Sequence, residues 1–116
     1  MRALSRLAVV SAREFATSVD CLMHQIGHWE LGRWSARPAG APPAAPSRSD
    51  TVYAVVQRLA DLCADAEQRP HRRVPRLSDL VLRDQLRVMA DDLLASPSDE
   101  ALRRATESVE AARRAL

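Results

Sequence analysis

Apolar residues recur three and four positions apart along four segments of the chain, which is the spacing of one face of a helix. The first stripe is the longest and consists of Ala8, Ala12, Phe15, Val19, Leu22, Ile26 and Trp29. Three shorter stripes follow, formed by Val52, Val55, Leu59, Leu62 and Ala66, by Leu82, Leu86, Met89 and Leu93, and by Leu102, Ala105, Val109, Ala112 and Leu116. Their average period of about 3.5 residues suits left-handed helix packing. We therefore predict an all-α fold resembling a four-helix bundle.

Proline-containing segments separate these helices. Residues 35–50 hold four prolines and almost no large apolar side chain, a composition typical of a linker, and when extended they would reach on the order of 50 Å. We accordingly predict a long N-terminal helix over residues 1–34, a Pro/Ala-rich linker over 35–50, and a three-helix segment over 51–116 that completes a single helical domain.

Two shorter breaks lie inside the three-helix segment. The first is the sequence RPHRRVPR at residues 69–76. The second contains Ser96, Pro97 and Asp99, which we interpret as the N-cap, the first helical position and an acidic third position of the last helix.

The predicted first helix is longer than the others. Running from about Ala3 to Trp34, it would extend about 48 Å, whereas its neighbours would extend about 27 Å. The unmatched length would expose apolar surface, which normally marks an association site. We therefore predict that the protein forms a homodimer or docks on a larger protein partner. The expected contact residues are Phe15, Val19, Leu22, Ile26, Trp29 and Trp34.

Alternatives to this long helix remain open. Gly27 or Gly32 could end the helix and fold its C-terminal part back, or the N-terminal part could fray. Trp34 directly precedes the linker, so it is either an exposed interface anchor or a side chain that folds back over its own helix end.

Composition sets limits on the class of protein. The chain has 116 residues, enough for one domain, and it is 47% hydrophobic but only 3% aromatic, which favours helices over sheets. No apolar run is long enough for a membrane span. Two cysteines without CxxC spacing indicate free thiols in a cytoplasm. Every basic residue is Arg, a bias associated with GC-rich bacterial genomes.

The basic segment at residues 69–76 suggests a second function. Its guanidinium groups could contact phosphates or an acidic partner, so the alternative function is nucleic-acid binding or regulation. Asp99 and Glu100 open the last helix, and their negative charges would face the DNA phosphates. A helix-turn-helix motif is therefore disfavoured. Nucleic acid is therefore possible but not favoured as a partner. The residues concerned are Arg69, Arg72, Arg73 and Arg76.

A third possibility is a metal-responsive protein. Cys21, His24 and His28 lie within about 60° of one another around the first helix. Two histidines four residues apart can share a metal ion, and a thiolate one turn earlier suits zinc or a softer metal.

Motifs that carry enzymatic chemistry are absent from the sequence. The chain lacks the phosphate-binding glycine loops, the HExxH zinc motif and the GxSxG nucleophile motif. We therefore predict no catalytic activity and no cofactor. The leading hypothesis is a non-catalytic helical module for protein–protein interaction or assembly.

Overall fold

The computed structural model describes the backbone of residues 2–96 and 98–116, and the side chains from Val10 onward with the exception of Pro97. Five α-helices and one short 3₁₀ turn at Asp79–Val81 account for most of this chain. The helices are α1 (Arg2–Ile26), α2 (Leu31–Ser35), α3 (Arg48–Ala66), α4 (Leu82–Leu94) and α5 (Asp99–Ala115). The described residues contain no strand. The all-α, bundle-like prediction is confirmed.

Of the four longer helices, α1 and α5 run in one direction, and α3 and α4 run in the other. Ser11 of α1 bonds Asp99 at the start of α5, and Gln25 reaches Arg113 near its end, so α1 and α5 are parallel. In α4, Arg87 bonds Asp20 of α1 and lies C-terminal to Arg83, which approaches Gly27. Helix α4 is therefore antiparallel to α1. Val74 bonds Tyr53 near the start of α3, and the adjacent Pro75 bonds Gln85 near the start of α4. Ala64 and Asp92, near the ends of the two helices, line one cavity, so α3 runs in the same direction as α4.

The core is formed by the predicted stripes. The stripe residues of α1 from Phe15 to Ile26 are completely buried, as are Val52 and Leu59 of α3. Helix α4 adds Leu82, Leu86 and Leu93, and α5 adds Leu102, Ala105 and Val109. At about 25 cal/mol for each Å² of apolar surface removed from water, this burial is the main stabilising contribution. The helical period therefore identified the buried faces correctly.

Two serines cap the helices that carry a recognisable start signal. The Ser47 hydroxyl accepts a bond from the Asp50 amide at 3.2 Å, and the Ser98 hydroxyl accepts one from the Ala101 amide at 3.2 Å. The assignment of Ser96 as the N-cap of the last helix is wrong. Helix α5 begins at Asp99, so Ser98 is its N-cap, and the Ser98 hydroxyl accepts the bond from the amide of Ala101, the third helical residue. The predicted role of Pro97 lies outside the described residues.

The long N-terminal helix predicted over residues 1–34 ends early. Helix α1 stops at Ile26, and Gly27 begins the turn that leads to α2. A Cβ atom at Gly27 would lie 3.0 Å from the Met23 carbonyl oxygen, so a larger residue would crowd this helix end. The break at Gly27, one of the two alternatives, is what the structure shows.

Helix α2 folds back over the end of the bundle. Trp34 is only 1% exposed, and its ring packs edge-to-face on Trp29 with centroids 4.9 Å apart. Such aromatic pairs stabilise beyond the area they bury. Trp34 is thus part of the core, which agrees with the alternative that its side chain folds back and not with an exposed interface anchor.

The segment after α2 is a closed loop. The Arg48 amide donates to the Ala36 carbonyl at 3.0 Å, so the two ends of residues 36–47 touch. The Arg37 side chain donates to the Ala45 carbonyl at 2.8 Å, and the Arg48 side chain donates to the Arg37 carbonyl at 3.1 Å. The expectation of an extended linker is therefore wrong, because guanidinium groups satisfy the loop carbonyls and hold the loop shut. We call residues 36–47 the closed loop.

A second connection is extended. Residues 67–78, which we call the strap, run back along α3 before the chain enters α4. Because α3 and α4 are parallel, their connection has to return the whole length of α3, about 28 Å at 1.5 Å per residue. An extended backbone of twelve residues covers that distance at about 3.3 Å per residue. The strap is therefore required by the topology.

Among the described residues, every helix is too short or too polar to cross a membrane.

Candidate functional site

The residues predicted to contact a partner are mostly inside the bundle. Phe15, Val19, Leu22 and Ile26 are fully buried, and only Trp29 retains partial exposure. They are covered because α4 and α5 pack against α1, and the four side chains belong to the common hydrophobic core. The prediction that these side chains form an exposed partner surface is wrong for the folded chain, because they form its core.

The backbone of α1 extends past the level at which α5 begins. Ser11 is level with Asp99, the first residue of α5, and the C-terminal ends of α3 and α4 lie at the same end of the bundle. Residues 2–10 of α1 therefore extend beyond the other helices by about 13 Å. The first side chain described in this region, Val10, is 51% exposed. The length mismatch is real but lies N-terminal to the predicted surface.

A polar seam joins α1 to α5. The Ser18 hydroxyl, which is buried, donates to the Glu110 carboxylate, and Arg113 donates to the same carboxylate at 2.7 Å. The hydrogen bond from Ser18, together with that from Arg113, lowers the pKa of Glu110 below its usual range. Glu110 therefore stays ionised in mildly acidic solution. Glu110 thus pairs with Arg113, one helical turn further along α5.

The candidate metal ligands do not converge. Cys21 and His24 line a shallow groove between α1 and α5, whereas His28 lies in the turn beyond the end of α1. The rings of His24 and His28 are edge-to-face with centroids 5.4 Å apart. Among the described residues, no group of three or more His, Cys, Asp or Glu side chains is arranged to hold a metal ion. The break at Gly27 removes the continuous helix on which this prediction depended.

The four arginines of the strap fall into two pairs. Arg69 donates to Glu67 at 2.6 Å, and Arg76 donates to Asp50 at 3.0 Å while stacking on the Tyr53 ring. These two guanidinium groups are thereby engaged within the chain. Arg72 and Arg73 are exposed and lie along the middle of the strap. The basic segment is therefore a smaller anion-contacting surface than the four charges suggest.

Residues on α3 that the sequence analysis did not single out hold the strap. The Gln57 amide group accepts from the Val74 amide at 2.8 Å and donates to the Arg72 carbonyl at 3.0 Å, so it pairs with the strap as a neighbouring strand would. The Tyr53 hydroxyl donates to the Val74 carbonyl. Val74 is buried beneath these bonds. Only the isolated apolar character of Val74 within RPHRRVPR could have indicated this role.

His71 attaches the beginning of the strap to α3. Its imidazole lies 2.6 Å from the Asp65 carboxylate and 3.7 Å from that of Asp61. The hydrogen bond with Asp65 raises the pKa of His71 above its ordinary value of 6.5. The attachment therefore strengthens when the imidazole is protonated.

Comparison of the chain with protein-family models, with curated proteins and with solved structures finds no match, so the function is argued from the residues themselves.

Proposed function

We propose that this protein is a non-catalytic helical assembly module that forms a homodimer through the N-terminal end of α1. The observation that carries the proposal is the offset of α1 against the other helices. Residues 2–10 extend past the level at which α5 begins, and a helix gains most of its stability from packing against another surface, which a partner would supply.

The sequence of this extension favours association. Leu4, Leu7 and Val10 are spaced three residues apart in the sequence, an interval typical of one face of an amphipathic helix. The exposed Val10 at its base adds apolar area that a partner helix would cover.

A second copy of the chain is the partner that fits best. A two-fold contact uses the same patch on both subunits, so the patch has to be self-complementary. Arg13 and Glu14 are exposed next to Val10 and provide one charge of each sign, which an opposing copy can match. The proposal also places the protein in a reducing cytoplasm, because both Cys21 and Cys63 are free thiols.

Light scattering on a size-exclusion column tests the proposal. The full chain is expected to be a dimer, and the double variant Leu7→Asp with Val10→Asp is expected to be a folded monomer. The matched control is Val88→Asp, because Val88 is equally exposed but lies on α4 away from the extension; this variant should remain dimeric. Circular dichroism of each variant verifies that the helices are retained.

A monomeric full chain at micromolar concentration would overturn the proposal, as would a dimer that the double variant leaves intact. Substitutions at Leu22 and Ile26 are unsuitable for this purpose. Both residues are core, so charged replacements would unfold the bundle whether or not it associates.

A further inference from the structure

A cavity of about 260 Å³ lies beneath the strap, between α3 and α4. Its floor is formed by small and flexible apolar side chains, Ala60 and Ala64 of α3 and Met89 of α4. The strap cannot collapse into this space, because its backbone is held at Val74 by hydrogen bonds to Tyr53 and Gln57. The void therefore follows from small residues facing a fixed chain segment.

The mouth of the cavity is basic. Arg69, Arg72 and Arg73 of the strap line it, and Asp92 of α4 is the one carboxylate among the lining residues. Arg69 is engaged by Glu67, whereas Arg72 and Arg73 are exposed side chains that can turn toward a bound group. Two exposed guanidinium groups beside an apolar floor are suited to holding an anionic head group.

The floor itself carries no charge at neutral pH. Burial, reinforced by the nearby Glu67 carboxylate, raises the pKa of the Cys63 thiol above its ordinary value, so the thiol remains protonated. Its Sγ atom lies 3.7 Å from a Glu67 oxygen and donates to it. A protonated thiol behaves as a small apolar group and does not repel an anion.

We propose that the cavity beneath the strap binds a small anionic amphiphile, with its apolar body on Ala60, Ala64 and Met89 and its carboxylate against Arg72 and Arg73. The volume sets the size of this ligand. The cavity of about 260 Å³ is slightly smaller than the pockets of about 300–1,000 Å³ that hold drug-sized ligands. The ligand class is therefore a short-chain or aryl carboxylate.

Octanoate is a suitable probe, and the methionine methyl groups report where it binds. The chain has three methionines, and of these Met89 lines the cavity while Met23 lies on α1. In the full chain labelled with ¹³C at the methionine methyl groups, octanoate is expected to shift the Met89 signal in a saturable manner and to leave Met23 unchanged. Octanamide, which has the same body without the charge, should bind more weakly.

Variants separate the apolar floor from the basic mouth. Replacing both Arg72 and Arg73 by Gln is expected to weaken octanoate binding about tenfold, because each exposed ion pair contributes a few-fold in affinity. The matched control replaces Arg103 and Arg104 by Gln, a neighbouring pair of exposed arginines on α5, and should leave binding unchanged.

A second variant tests the location. Ala64→Leu places a larger side chain in the cavity and should abolish the Met89 shift, while circular dichroism verifies that the helices persist. Three results would overturn the proposal: no Met89 shift up to about 10 mM octanoate, an equal response to octanamide, or undiminished binding after both arginines are replaced. None of these results depends on the oligomeric state.

Discussion

The closed loop and the strap are both polar, proline-containing connections, yet they serve the bundle differently. Across residues 36–47 no side chain is buried, and the loop bonds mainly to itself and to Arg48. The strap buries Val74, receives hydrogen bonds from two side chains of α3, and receives another from Gln85 of α4 at the Pro75 carbonyl. Only the strap is part of the packed structure.

The difference follows from helix direction. Helices α1 and α3 are antiparallel, so their connection begins and ends at the same end of the bundle and can be of almost any length. Helices α3 and α4 are parallel, so the strap has to cross the bundle. A segment that crosses a packed surface has to satisfy its backbone groups there. This requirement explains the roles of Tyr53 and Gln57.

The largest expected effect is at the buried residue of the strap. Val74→Asp should lower the free energy of unfolding by about 3 kcal/mol, because it places a carboxylate where a buried side chain now packs. Leu77→Asp, in the same strap but at an exposed position, should change it by no more than about 0.5 kcal/mol. Denaturant unfolding monitored by circular dichroism measures both. Equal losses would show that the strap does not contribute to the core.

A smaller effect is expected from shortening the closed loop. Deleting residues 39–44 should change the free energy of unfolding by less than about 1 kcal/mol, since the deleted residues are not buried and the loop ends already touch. The Arg48 bond to Ala36 is expected to persist. A loss as large as that of Val74→Asp in the same denaturation experiment would remove the distinction between the two connections.

The smallest expected effect is a pH dependence carried by His71. Because Asp65 raises the pKa of the folded imidazole above 6.5, the contribution is complete below about pH 6.5 and is lost as the pH rises through the folded pKa. The free energy of unfolding should therefore fall slightly as the pH rises above about 6.5. His71→Gln should flatten this interval, and Asp65→Asn should do the same. A slope that survives both substitutions would have to originate elsewhere.

Periodicity predicted most of the fold and little of the site. Leu59 and Val109 were placed in the core from spacing alone, since any packing of amphipathic helices buries their apolar face. The roles of Gln57 and His71 were not predictable, because Gln57 bonds Val74, which lies 17 positions away, and His71 reaches Asp65 only because the strap runs back along α3. Trp34 was left undecided by the sequence, since its position depends on where α1 ends.

By itself, the sequence determined the helical class, the buried face of each helix and the positions of the connections, because these follow from local spacing and from prolines that interrupt helices. The tertiary structure decided that α1 ends at Gly27, that α3 and α4 are parallel, and that the N-terminal end of α1 extends past α5. These features depend on which stripes face one another. That choice is set by packing between segments distant in sequence, and no local pattern encodes it.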